Sequence, residues 1–203
     1  MFVVTVDQRR SRRGGDQVEA LLARLADSVP APAVVRPFER TAGDEVQGVL
    51  RDPAQVVAVA LTLVRLGNWS AGIGVGPVDE PLPASTRAGS GPAFVRARQA
   101  VERAKSHPSH VVVVAHDPAA AKAPQTVLDL LASLVQRRSE AGWEAVDLRA
   151  TGLTQVEVGT RLGITKQAVS QRLLTATWEP EVAGRALAAH LLAAAEAHER
   201  VRQ

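Results

Sequence analysis

Residues 154–174 read TQVEVGTRLGITKQAVSQRLL, and the spacing inside this stretch decides how the C-terminal part of the chain is built. Thr154 and Glu157 stand three apart, the separation of a capping box that starts a helix by satisfying its first unpaired N–H groups. Val158 and Leu162 follow on one face, and Gly159 is small where a crossing helix approaches closely. Gly163 supplies the positive φ that ends the first helix. Ile164 then turns toward the core and Thr165 caps a second helix, whose inner side is Val169 and Leu173. Lys166, Gln167, Ser170 and Gln171 are left pointing outward. This is the layout of a helix-turn-helix, whose second helix lies in the major groove of double-stranded DNA. Amide and hydroxyl side chains read base edges there, and Lys or Arg add phosphate contacts. The expected readers are Thr165, Lys166, Gln167, Ser170 and Gln171, with Arg161 and Arg172 at phosphates. Arg172 has a second reading, as a brace for the recognition helix. An ordinary pair of packed helices would carry a solvating Glu/Lys face, whereas this outer face is short and polar.

Working outward, residues 142–151 predict a supporting helix through Trp143, Val146 and Leu148, and residues 125–139 an amphipathic one through Val127, Leu128, Leu131, Leu134 and Val135. Residues 179–201 predict a last helix that opens at Glu179-Pro180-Glu181, with proline and acids suited to its positive end. It carries Ala183, Leu187, Leu191 and Ala194 on one stripe, which fits either a homodimer interface or packing back on its own domain. Toward the N-terminus, the Ala/Pro-rich residues 118–124 read as a linker. Before them come strands at 2–6, 33–38, 45–50, 70–78 and 110–115, with helices at 16–28, 53–67 and 92–106. The order β-α-β-β-α-β, then one more helix and strand, is the ferredoxin-like plan with an extension. The expected fold is therefore α+β: a ferredoxin-like domain over 1–117, a linker over 118–124, and an all-α domain over 125–203 that binds DNA.

Composition agrees with a folded protein. The 203 residues are 46 % hydrophobic, enough for a substantial core. No run of eighteen apolar residues occurs, so no membrane partner is expected, and the apolar-then-basic start MFVVTVDQRR is the reverse of a secretory signal. There is no cysteine, which excludes disulfides and thiolate metal sites. A cytoplasmic location is expected. The net charge of +3 is unevenly spread: residues 1–124 hold 15 Lys/Arg against 12 Asp/Glu, and residues 125–203 hold nine of each. The expected DNA-binding half is thus neutral overall, which argues against strong nonspecific binding. Arg161, Lys166 and Arg172 make the motif itself basic, and a dimer doubles its contacts.

The first domain offers a ligand site. Asp7 ends the first strand and Asp44 sits in the turn Ala42-Gly43-Asp44-Glu45. In the ferredoxin-like plan these are neighbours, and two such carboxylates can hold Mg²⁺ together with the phosphates of a nucleotide. Arg9, Arg10, Arg12 and Arg13 follow Asp7 within reach of phosphates. Gly91-Pro92 opens a helix whose N-terminus suits an anion, with Arg96 and Arg98 in its first two turns. The candidates are Asp7 and Asp44 for metal and Arg12 and Arg96 for ligand. The routine reading is a strand-end Asp, an ordinary turn and a solvated Arg run. His107, His110 and His116 fit no metal-binding spacing and read as surface or strand-end residues.

Four motifs in order carry a resemblance: Asp7-x-x-x-Ser11-Arg12, then Ala42-Gly43-Asp44-Glu45-Val46-Gln47-Gly48, then Gly72-Ile73-Gly74-Val75-Gly76, then Gly91-Pro92-Ala93-Phe94-x-x-Ala97-Arg98. Together they resemble the SatD family of bacterial proteins over residues 3–105. The segment 154–174 resembles the helix-turn-helix of sigma-factor region 4. The N-terminal domain is also distantly similar to diguanylate cyclases and class III nucleotide cyclases, which implies a cyclase-like fold with Asp7 and Asp44 in the metal-binding roles. The sequence departs from those enzymes: a second acidic position after the first strand is missing, the guanine-recognising Asn and Asp are replaced by the Arg run, and Val46 stands where the signature closes on an aromatic residue. The resemblance therefore implies a catalytically inactive cyclase-like domain that binds a nucleotide effector. The alternative expectation is a metal-dependent nucleotide-processing enzyme of cyclase-like fold.

Overall fold

The computed structural model describes residues 1–9 and 15–201. Five strands, β1 (Phe2–Gln8), β2 (Val34–Ala42), β3 (Glu45–Leu50), β4 (Trp69–Val75) and β5 (Val111–Val114), form one mixed sheet in the order β2-β3-β1-β4-β5. β1 lies centrally and antiparallel to β3 and β4; Val4 stands opposite Gly48 on one side and Ile73 on the other. β2 is antiparallel to β3, and β5 adds parallel to β4.

Alternation along the strands sends side chains to two differently covered faces. Phe2, Val4 and Val6 meet helix α1 (Val18–Ser28) through Leu21 and Leu25, and helix α2 (Pro53–Leu66) through Val57 and Leu61. Helix α2 forms where the sequence directs it. Pro53 occupies its first turn, Asp52 accepts a 2.8 Å hydrogen bond from the Ala54 N–H, and Gly67 at φ 76° ends it. The opposite face, including Val3 and Val49, meets helix α3 (Pro92–Ala104) through Ala93, Phe94 and Ala97. The alternating glycines of β4 explain how closely α3 lies: a Cβ on Gly72 would stand 2.1 Å from the Val101 backbone nitrogen, and one on Gly74 would stand 2.1 Å from the Ala93 carbonyl oxygen. The helix rests backbone-to-backbone on the strand.

The expected linker at 118–124 is instead the start of helix α4 (Pro118–Arg137). Pro118 fits the first turn, where its missing N–H costs nothing, and Asp117 caps it by accepting from the Ala119 N–H at 2.9 Å. The alanines that follow are strong helix formers, and the interior Pro124 is buried. Leu128, Leu131, Ala132 and Val135 of α4 join the core on the α2 side of the sheet, as do Ala188, Leu192 and Ala195 of helix α8 (Trp178–Val201). The boundary expected at residue 117 therefore does not coincide with a break in the core: α4 and α8 pack with the sheet.

A second, smaller core belongs to helices α5 (Glu140–Ala150), α6 (Gln155–Leu162) and α7 (Lys166–Thr175). Ala145, Val146, Val158, Val169, Leu173 and Ala176 are buried in it, with Trp143, Leu153, Ile164 and Trp178 packed around them. Polar contacts join it to the sheet-bearing body. Arg65 of α2 grips Asp147 of α5 through bonds of 2.6 and 2.7 Å and lies 3.8 Å over the Trp143 ring. Arg138, after α4, lies 4.3 Å from the same ring, donates to the Ala176 carbonyl at 2.8 Å and pairs with Glu181 of α8 in a fully buried ion pair. Among the described residues, no helix is long and apolar enough to cross a membrane.

Candidate functional site

The geometry of α6 and α7 follows from short-range chemistry. Thr154 Oγ1 accepts from the Glu157 N–H at 3.3 Å, while Glu157 accepts from the Thr154 N–H at 2.7 Å, a complete capping box. The Thr154 N–H foremost, and then Thr154 Oγ1, which donates to the same carboxylate at 2.7 Å, hold the Glu157 carboxyl below its ordinary pKa of 4.5. Gly163 takes φ 65° and ψ 32°, and its N–H bonds back to the Gly159 carbonyl. Gly159 has its own reason to be small: a Cβ there would lie 2.8 Å from the Ile164 carbonyl oxygen of the turn. Thr165 then caps α7 by accepting from the Ala168 N–H at 3.1 Å. Val158, Gly159, Val169 and Leu173 are buried, and Ile164 packs against them.

Outward from this small core, Thr165, Lys166, Gln167, Ser170 and Gln171 are all exposed, as is Arg161. Gln171 makes a marginal 3.5 Å contact with Thr175; Lys166, Gln167 and Ser170 have no side-chain partner among the described residues. The row thus offers free amide, hydroxyl and ammonium groups on one helix face. Arg172 behaves differently. Its guanidinium donates to Glu144 of α5 at 2.7 Å and reaches the Ala141 carbonyl at 3.5 Å. These contacts tie α7 to α5, the geometry of the brace that is its second reading. Sequence reading passed over two exposed apolar residues, Leu174 of α7 at 71 % and Val156 of α6 at 59 %.

In the sheet, Asp7 stands opposite Glu45 across β1 and β3, next to the Gly43-Asp44 turn. Burial raises the Asp7 pKa above 3.8; Lys105 opposes this, and the nearby Asp44 charge adds to it. The two expected carboxylates are therefore close enough to feel each other. The cation beside Asp7 is the Lys105 ammonium, at 3.6 Å, which Glu102 also holds at 2.9 Å. Glu45 is occupied by Thr41 at 2.6 Å and Arg98 at 3.0 Å. Among the described residues no group of three or more His, Asp or Glu side chains is placed to hold a metal ion.

The two arginines expected at a ligand fare differently. Arg96 is mostly buried, donating to the Val75 carbonyl at 2.7 Å and pairing with Glu199 of α8 at 2.9 Å. Its guanidinium thus joins β4 to α8 and is already paired with a carboxylate. Arg12, with Arg10 and Arg13, lies outside the described residues. The stripe Ala183, Leu187, Leu191 and Ala194 falls on the outer side of α8: Leu191 is half-buried, the other three are exposed, and Ala188, Leu192 and Ala195 make the buried side.

Comparisons of the chain with protein-family models, with curated proteins and with solved structures find no match.

Proposed function

We propose that this chain is a DNA-binding transcriptional regulator in which α6 and α7 act as a helix-turn-helix. In this reading α7 enters the major groove of double-stranded DNA. Thr165, Lys166, Gln167, Ser170 and Gln171 meet base edges, Arg161 meets a phosphate, and Arg172 holds α7 at its working angle. The observation that carries the reading is the exposed row on α7: amide, hydroxyl and ammonium groups without internal partners, standing on a turn held by two caps and Gly163.

The reading extends to the rest of the chain. The strand order and pairing support a ferredoxin-like, cyclase-like plan for the sheet, with β5 as its extension. Lys105 supports an inactive domain, because its ammonium stands where a cyclase-like resemblance would put metal beside Asp7. A second copy of the chain covers the outer face of α8, where Val182, Ala183, Ala186, Leu187, His190 and Ala194 are exposed without a Lys, Arg, Asp or Glu among them. Such a homodimer matches a two-fold-symmetric DNA site.

The test is the double substitution Gln167→Ala with Gln171→Ala. It is expected to abolish preference for the selected DNA site while leaving the circular dichroism spectrum and the melting temperature unchanged. A site preference identical to that of the unmodified protein would remove these residues as readers.

A further inference from the structure

We propose that the cleft along the outer edge of β5 binds a small organic anion, an apolar body carrying a carboxylate or a phosphate. The cleft measures about 470 Å³ and lies between the end of α3, strand β5 and the first turns of α4. That size falls within the range of small-molecule sites. Val112, Val114 and Ala121 supply an apolar floor. Arg103 and Lys122 stand at its rim, both exposed, and neither has a carboxylate partner among the described residues. His107 and His116 add two further nitrogen-bearing rings, and among the described residues the lining contains no Asp or Glu. Two acids engage this wall and both are already partnered: Asp129 accepts from Ser109 at 2.7 Å and from Gln125 at 2.9 Å and stands 3.7 Å from His107, and Glu199 accepts from the His116 N–H at 2.6 Å and pairs with Arg96.

The strand edge itself distinguishes a small molecule from an added β-strand. Gln125 Oε1 accepts from the Val113 N–H at 2.8 Å, and its Nε2 donates to the Val111 carbonyl at 3.0 Å. One side chain thereby occupies the edge groups that a docking strand would need. What remains open is an apolar floor beneath two unneutralised cations, and an apolar anion answers both features at once. The cleft is separate from the Asp7–Lys105 cluster, and its occupancy does not depend on whether α7 binds DNA.

The experiment is a titration of the full chain followed by ¹H–¹⁵N NMR. The probes are benzoate and adenosine monophosphate, their uncharged counterparts benzamide and adenosine, and inorganic phosphate. Benzoate or adenosine monophosphate is expected to shift the amides of Val112 to Ala115 and of Lys122 saturably. Arg103→Gln and Lys122→Gln, both at exposed positions that leave the fold intact, are each expected to weaken that binding about tenfold or more, the worth of one charge-assisted hydrogen bond. Uncharged counterparts bind at least about tenfold more weakly on the same argument. The proposal is overturned if neither anion saturates below roughly 10 mM, if both variants keep the original affinity, or if inorganic phosphate binds as tightly as the two organic anions.

Discussion

Removing the Glu181 carboxylate should be among the most damaging single changes in this chain. Glu181 and Arg138 have side-chain exposures of 1 % and 0 %. Arg138 also donates to the Ala176 carbonyl at 2.8 Å, but its Nε and Nη1 have no hydrogen-bond partner among the described residues. In Glu181→Ala the guanidinium keeps only that carbonyl and the Trp143 ring as compensation for its buried charge. Breaking a buried pair from one side costs about 3–5 kcal/mol. At about 2–4 °C per kcal/mol for a chain of this size, the melting temperature falls by roughly 6–20 °C. Arg185, which shares Glu181 at 2.6 Å, adds little because it reaches solvent. Replacing both partners, Arg138→Met with Glu181→Leu, removes the orphaned charge and should return most of the loss, leaving a large coupling energy between the two sites. Differential scanning calorimetry of the two single variants and the double variant reads this directly. A fall of less than about 3 °C in Glu181→Ala, or a double variant as unstable as the worse single one, would refute the reasoning.

Three further outcomes follow from the same geometry. Gly74→Ala forces a methyl to within 2.1 Å of the Ala93 carbonyl oxygen, so the α3–β4 contact must open at a cost of about 1–3 kcal/mol or more, measurable by urea denaturation. Thr154→Ala should lower stability by about 1 kcal/mol through the lost cap. Because the Glu157 pKa is lowered in the folded chain, foremost by the Thr154 backbone N–H, its contribution is present above the ordinary value and lost as pH falls through the depressed one, so Glu157→Gln should show a flatter acid limb in a stability-versus-pH series. Asp7 has the opposite sign: its pKa is raised, chiefly by burial, so its contribution falls as pH rises from 3.8 through the raised value. Asp7→Asn should therefore stabilise the protein near about pH 7, with a gain that shrinks toward acid; an equal effect at both ends of the series would contradict that assignment.

What could be read from the sequence was local. The capping box at Thr154 and Glu157, the left-handed Gly163 and the Thr165 cap each involve residues within a few positions of one another, so spacing alone places α6 and α7. The strands were legible for the same reason, apart from their ends: β2 runs on to Ala42, and β4 stops at Val75 rather than at residue 78. What escaped was non-local or low in contrast. Residues 118–124 looked like a linker because their prolines outweighed the alanines, although Pro118 fits a first turn beside the Asp117 cap. On α8 alanine and leucine occur on every side, so hydrophobicity does not show which stripe faces the core; the chosen one lies on the outer face. Arg96 looked available because its partner, Glu199, is 103 residues away. The β5 cleft draws its cations from two helices on either side of a strand, a juxtaposition no motif encodes.

The most direct test of the central claim is binding of the purified protein to fragmented genomic DNA at moderate salt, followed by sequencing of the recovered fragments. The account predicts enrichment of a short inverted repeat, contacted by α7 of two copies, and loss of that enrichment in the Gln167→Ala, Gln171→Ala protein. Recovery without sequence preference, or binding that disappears with salt for every fragment alike, would contradict it and leave α6 and α7 as a packing unit.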